Sequence, residues 1–266
     1  MKLTNKNNLP KPLVKAIEGF NKDYKDGRGE TDISVTELLN PPLIRQLTKE
    51  HYEEIEEDVS DRIWSLLGSA VHQILEKSVD GLVEHRMYKE VDGIKLSGQA
   101  DYIEDDIIYD YKVTSAWSGL KGIKREWVQQ LNLLSYLYGN TKALKIVAIY
   151  RDWSESQAKR SKDYPQRSVE VISIPLWTKE EQEAYLTTRL ELHNGLETEC
   201  SPEEKWQRPT VYAIMKEGRK TAVKLYDSLE EAKKDGRGEV VERLGENIRC
   251  EKYCSVCKFC PYHKGK

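Results

Sequence analysis

Two aspartates and a lysine carry the clearest chemical signal in this sequence. Asp101 closes Gly98-Gln99-Ala100-Asp101, and Asp110-Tyr111-Lys112 follows shortly after with a second carboxylate and an ammonium. On a strand alternate side chains share a face, so Asp110 and Lys112 project together, with Thr114 beside them. Ile107, Tyr109, Tyr111 and Val113 then point the other way and form the face expected to be buried. If the preceding segment is the hairpin neighbour, Asp101 approaches the same spot. Two carboxylates and one ammonium at a sheet edge suit metal-assisted hydrolysis of a phosphodiester. The carboxylates are hard oxygen ligands for Mg²⁺, and the lysine orients or helps deprotonate the attacking water.

The cysteines are the second signal. Cys250, Cys254, Cys257 and Cys260 cluster tightly, and Cys200 is the fifth. The start, MKLTNKNNLPKP, lacks an apolar leader, so such cysteines read as metal or cluster ligands in a reducing, cytoplasmic setting rather than as disulfides. Two ligand sets are open: the four clustered residues, or Cys200 with Cys250, Cys254 and Cys260 and with Cys257 as the alternative ligand. The second closes a long loop and so locks the tail to the rest of the protein. All-thiolate ligation suits an iron-sulfur cluster or zinc, and His263 could replace one thiolate in a zinc site.

These residues need elements to hold them. Apolar residues from Ile63 to Ile74 recur at helical spacing, which predicts a helix from Ser60, as N-cap, to about Lys77. Period-two patterning then predicts strands over 81–91, 94–103 and 107–115, turning at Asp92-Gly93 and at Glu104-Asp105-Asp106. A helix over 125–138, a strand over 144–151, a long polar loop over 152–167, a strand over 168–176 and a helix over 179–191 follow. Beyond them come a hairpin over 212–226, a short helix near 229–233 and the cysteine tail. Before Ser60 the chain reads as short helices broken at Gly27-Arg28-Gly29 and Pro41-Pro42. This order predicts an α/β fold around a mixed sheet.

Asp101 with Asp110-Tyr111-Lys112 resembles the P-D…(D/E)-x-K signature of the PD-(D/E)XK nuclease superfamily. The form GQAD…DYK is similar to the RecB and AddB nuclease domains, to the iron-sulfur exonucleases of CRISPR adaptation, and to phage exonucleases of that lineage. His72 resembles that lineage's metal-binding histidine, on a helix before the sheet. Gln130 resembles the glutamine of the helix after the lysine strand, although the tyrosine usual four residues on is Leu134 here, with Tyr136 nearby. Ala100 stands where the signature has proline, and no cysteine precedes Cys200.

The resemblance implies a restriction-endonuclease-like core at 60–176, a helical arm at 1–59 and a cysteine-stapled helical and hairpin region at 177–266. It implies a DNA nuclease, most readily an exonuclease of phage or bacterial recombination, working with a single-strand annealing protein. Asp101, Asp110, Lys112 and Gln130 would be catalytic. His72, Asp101, Asp110 and the Tyr111 backbone carbonyl would hold Mg²⁺ or Mn²⁺, the imidazole suiting Mn²⁺. The cysteines, taken as Cys200, Cys250, Cys254 and Cys260, would hold a [4Fe-4S] cluster. Glu76, Glu84 and Glu90 read as solvated residues. The competing reading is a nucleic-acid-binding module that no longer cleaves.

Composition agrees once it is divided along the chain. The 266 residues carry 42 Lys+Arg and 45 Asp+Glu, a net charge of -3 that taken alone argues against a nucleic-acid partner. Residues 1–110 hold 14 basic and 23 acidic side chains, 111–168 hold 11 and 4, and 169–266 hold 17 and 18. The basic block includes Lys121, Lys124, Arg125, Lys159, Arg160, Lys162 and Arg167, a phosphate track beside the lysine, with Trp117 and Trp153 available to stack on unpaired bases. No apolar run approaches the ~18 residues of a membrane span, and fifteen Tyr and six Trp argue against disorder.

Overall fold

The computed structural model describes residues 1–26, 29–120, 122–195 and 199–263. Lys121 and the break expected at Gly27-Arg28 lie outside the described residues. The chain forms two compact units, Lys2–Asn40 with Glu56–Leu196, and Met1 with Pro41–Ile55 and Glu197–Lys266.

The larger unit contains β1 (Lys2–Thr4), α1 (Lys11–Asp26), β2 (Ile33–Ser34), α2 (Val35–Leu39), β3 (Glu56–Asp58) and α4 (Ile63–Glu76). It continues through β4 (Leu82–Val91), β5 (Ile94–Glu104), β6 (Ile107–Thr114), α5 (Ala116–Gly119), α6 (Arg125–Tyr138), β7 (Ala143–Tyr150), α7 (Glu155–Arg160), β8 (Val169–Ile174) and α8 (Lys179–Asn194). Its sheet runs β2-β5-β6-β7-β8, with β4 also paired to β5. The pairs β2–β5 and β6–β7 are parallel and the others antiparallel, so the sheet is mixed.

Both expected turns form. Asp92 and Gly93 take φ of +52° and +77°, which sets Val91 opposite Ile94. Asp105 and Asp106 take +50° and +65°, setting Glu104 opposite Ile107. These left-handed positions match the twist of a two-residue hairpin. Helix α6 ends at Gly139, φ +85°, and covers the sheet with Leu131 and Leu134, which pack in a core with Ile108, Leu144, Ile146 and Leu186. It lies so close to β5 that a Cβ on Gly98 would sit 2.6 Å from a Leu134 methyl and 2.7 Å from one on Leu137.

Three expectations are corrected. The buried face of β6 carries Ile108 and Asp110, which meet Leu131, Leu134 and Gln130 of α6, while Ile107, Tyr109, Tyr111 and Val113 are half-buried. Ser60 does not cap the helix. Asp58 caps a 3-10 turn over Val59–Arg62 that leads into α4, and accepts from the N–H groups of Lys6 (2.7 Å) and Ser60 (3.1 Å). The polar stretch 152–167 contains α7 and is organised by the buried Tyr164, whose hydroxyl accepts from Ser154 N–H (3.1 Å), and by Trp153 Nε1 donating to Pro165 O (2.8 Å).

The smaller unit contains α3 (Pro42–Glu50), β9 (Gln207–Arg208), β10 (Val211–Met215), β11 (Lys224–Tyr226), α9 (Leu229–Asp235), β12 (Glu239–Arg243), β13 (Glu246–Asn247) and α10 (Ile248–Lys252). The expected hairpin forms as β10 with β11, and β12 extends it on the other side. Leu43, Leu47, Ile55 and Val256 form a separate core against which Cys200, Cys254 and Cys260 pack. His51 stacks on Phe259 with ring centres 3.9 Å apart. Among the described residues no helix is long and apolar enough to cross a membrane.

Candidate functional site

Strands β5 and β6 pair only over Tyr102–Glu104 and Ile107–Tyr109, then part. Where they part, the Asp101 carboxylate replaces a ladder bond and accepts from Tyr111 N–H at 2.6 Å. This fixes Asp101 beside β6 and leaves its other oxygen free to face α4. From α4, His72 reaches across: Nε2 lies 3.1 Å from Tyr111 O, and Nδ1 lies 3.5 Å from Asp101 Oδ1.

The third member of this group is Glu84, a residue expected from its sequence position to be solvated. Its Oε1 lies 3.5 Å from His72 Nδ1, and its side chain is three-quarters buried. The β4–β5 ladder keeps one register on both sides of Glu84 but lapses at Glu84 itself, which takes φ +44°. A non-glycine residue held at positive φ is strained, and such strain collects at working sites. Gln99 Nε2 donates to the other Glu84 oxygen, and Arg86 donates to Gln99 Oε1, so the carboxylate is fixed from behind. One ligand atom each of His72, Glu84 and Asp101 falls within 4.8 Å of the others, a spacing that one metal ion can span.

The remaining expected residues form an adjoining group. Asp110, 1% exposed, lies in an ion pair with Lys112, whose Nζ is 2.7 Å from Oδ2 and 3.0 Å from Oδ1. Gln130 on α6 bridges the two, donating to Asp110 Oδ1 at 3.0 Å and accepting from Lys112 at 3.1 Å. Asp110 Oδ2 is buried and receives no well-directed hydrogen bond, despite the nearby ammonium. The cation that this buried oxygen faces is the Lys112 ammonium.

The electrostatics point the same way. Hydrogen bonds to Asp101 and then Glu84 push the His72 imidazole up to about 10, against the burial that opposes them. A proton is thus trapped between two carboxylates, where a metal ion would compete with it. Burial pushes the Asp110 carboxyl up to about 6, with the Lys112 charge opposing and the Asp101 charge adding to the rise. Burial acts to lower the Lys112 pKa, but the Asp110 charge and hydrogen bond outweigh it, so the ammonium is retained.

Of the expected phosphate track, Lys124 precedes α6 and sits 4.9 Å from the centre of the Trp127 ring, and Arg125 is exposed. Lys159 and Arg160 are exposed on α7, Lys159 pairing with Glu155 at 2.6 Å. Trp117 is exposed as expected, whereas Trp153 packs against the core with its N–H committed to Pro165.

In the smaller unit all five cysteines are free thiols lining one cavity, with Leu43, Leu47 and Val256. Burial pushes the Cys200 thiol up to about 11, and it raises Cys250 and Cys254 as well. Thiolates at this place therefore need a cationic partner. The donor set suits a thiolate-ligated metal group, although no three Sγ atoms among the described residues lie within 4.8 Å of one another.

No known family model matches the chain, and no curated protein matches it. Among solved structures it is similar to SSO0001, at 17% identity and a TM-score of 0.54 over 95% of both chains. It is also similar to the alkaline exonuclease LHK-Exo from Laribacter hongkongensis, at 15% identity and a TM-score of 0.31 over 48% of this chain and 64% of that one. A protein from Eubacterium rectale described as a candidate exonuclease is 15% identical, with a TM-score of 0.31 over 73% and 87%. At a TM-score of 0.31 these two carry no argument about this chain. The similarity to SSO0001 shows a common architecture, and the mixed sheet flanked by helices, with its cysteine-bearing carboxy-terminal region, agrees with the restriction-endonuclease-like fold expected from the sequence.

Proposed function

We propose that this chain is a divalent-metal-dependent DNA nuclease of the PD-(D/E)XK type, acting at DNA ends. The observation that carries this reading is the convergence of His72, Glu84 and Asp101 beside the Asp110–Lys112–Gln130 group, at the point where β5 and β6 part. Bound Mg²⁺ or Mn²⁺ would polarise the scissile phosphate and activate a water. His72, Glu84 and Asp101 would hold it with the Tyr111 carbonyl, and Asp110 offers a further buried oxygen. Lys112 places a fixed positive charge where negative charge develops on the phosphate, and Gln130 keeps that ammonium against Asp110. Use in recombination or end processing follows from the sequence resemblance.

The cysteine cavity supports a [4Fe-4S] cluster on Cys200, Cys250, Cys254 and Cys260, with a structural role. Four thiolates also suit tetrahedral zinc, and the choice of the cluster follows from the sequence resemblance.

Digestion of end-labelled linear DNA with Mg²⁺ or Mn²⁺, with and without EDTA, tests the assignment. Lys112→Ala is expected to lower cleavage by about a hundredfold or more, the scale of losing one fixed charge stabiliser, with the fold retained by circular dichroism. Undiminished Mn²⁺-dependent digestion by that variant would overturn the assignment of this site, whereas no digestion by the unaltered chain would leave the non-catalytic binding module as the better reading. An absorbance scan near ~400 nm tests the cluster.

A further inference from the structure

Trp64 stands in the first turn of α4 and is 58% exposed, unusual for so large an apolar side chain. The guanidinium of Arg151 covers one face of its ring, 4.3 Å from the centre. Arg151 directly follows β7, and its N–H donates to Thr114 O at 3.0 Å, at the end of β6. Lys112 lies on the same strand, two residues before Thr114.

Two cations, Lys112 and Arg151, therefore lie at one end of β6. Lys112 is committed to Asp110. Asp152, the carboxylate next to Arg151, is committed to the Ser115 hydroxyl and the Ala116 N–H, both at 2.6 Å. Among the described residues Arg151 forms no ion pair within 4.0 Å, its guanidinium lying instead over the indole. An exposed indole and a guanidinium side by side match a nucleotide, with a π-face for stacking and a phosphate for the charge.

The spacing places this group along the path of a strand. Trp64 and His72 are eight residues apart on one helix, roughly 12 Å at 1.5 Å per residue. His72 meets β6 at Tyr111 and Trp64 meets the segment beside Thr114, so α4 runs antiparallel to β6. That separation is about three to four steps of a stacked strand at ~3.4 Å each.

We propose that Trp64 and Arg151 form a subsite for an unpaired DNA strand, stacking one base on Trp64 and holding its phosphate on the Arg151 guanidinium, a few nucleotides from the metal centre. The subsite rests on the nuclease reading for the strand's destination. Bases inside a duplex are already stacked and paired, so a blunt end gains nothing from the indole.

Fluorescence anisotropy of the full chain with a labelled, phosphorothioate-linked oligothymidylate, and with a blunt duplex of equal length, tests this without cleavage. Trp64→Ala is expected to weaken single-strand binding roughly five- to hundredfold, leaving duplex binding within about twofold, with Trp64→Tyr restoring most of the loss. Arg151→Ala should weaken single-strand binding as well. Unchanged single-strand affinity in Trp64→Ala and Arg151→Ala overturns the subsite. Equal loss on both substrates, or no rescue by tyrosine, overturns it too, because either reports a packing role. The nuclease reading fails separately. If unmodified DNA is never cleaved while Trp64→Ala loses single-strand binding, the subsite stands and the nuclease falls. If DNA is cleaved while Trp64→Ala binds normally, only the subsite falls.

Discussion

Glu84 reaches the metal centre through a departure from regular strand geometry. Its φ of +44° interrupts pairing at one residue while the register continues on both sides. Gln99 and Arg86 then hold its carboxylate toward His72. If Glu84 is a ligand, Glu84→Gln should weaken Mn²⁺ binding by more than the 10- to 100-fold that outer partners of metal ligands typically cost. Isothermal titration with Mn²⁺ checks this, and an unchanged affinity would remove Glu84 from the ligand set. His72, Asp101, Asp110, Lys112 and Gln130 were legible as candidates because each belongs to a short local pattern. Glu84 belongs to none. The signal was a count across the hairpin, since a two-residue turn at Asp92-Gly93 sets Val91 opposite Ile94 and therefore Glu84 opposite Asp101. Trp153 failed in the other direction, because aromatic type alone does not say whether a ring stacks outward or packs inward.

Helix α6 and strand β5 are in contact through Gly98, and that contact carries Gln130 toward Asp110. A Cβ at Gly98 would fall 2.6 to 3.0 Å from methyls of Leu134, Leu137 and Val35. Gly98→Val should therefore destabilise the fold by about 1–3 kcal/mol, the usual cost of overpacking, as measured by denaturant unfolding. Asp58 offers a pH handle away from the metal centre. The N–H of Lys6 first, then the hydroxyl and N–H of Ser60, hold its carboxyl well below the usual range. Its contribution is present above the unfolded value near ~3.9 and is lost as pH falls through the lower folded value. Asp58→Asn should lower the melting temperature at neutral pH and flatten its fall in acid; an unchanged profile would discount the cap. The sheet strands and α6 were legible because their apolar periodicities are long and uninterrupted. The pairing of Lys2–Thr4 with Glu56–Asp58 was not, since two three-residue polar strands fifty residues apart have no local signature. Nor was α7, whose six residues depend on the buried Tyr164 nearby.

Across the whole molecule the chain order and the unit order differ. Pro41–Ile55 packs with Glu197–Lys266, while the residues between them belong to the larger unit. The cysteine cavity is lined from both segments, with Leu43 and Leu47 on one side and Cys200, Cys250, Cys254 and Cys260 on the other. Loss of a bound group should therefore loosen α3 as well as the tail. Cys254→Ser is expected to bleach absorbance near ~400 nm and to lower the melting temperature by at least about 5 °C, since 1 kcal/mol moves a chain of this size by roughly 2–4 °C. Full colour and an unshifted transition would place Cys254 outside the ligand set. The same arrangement has a consequence for the growing polypeptide. Leu43, Leu47 and Ile55 are synthesised long before Val256, their partner in the core. At about 5–20 residues per second, that patch waits on the order of 10–40 s on the ribosome. During that interval it is an open adhesive surface, and its closure coincides with the arrival of the thiols.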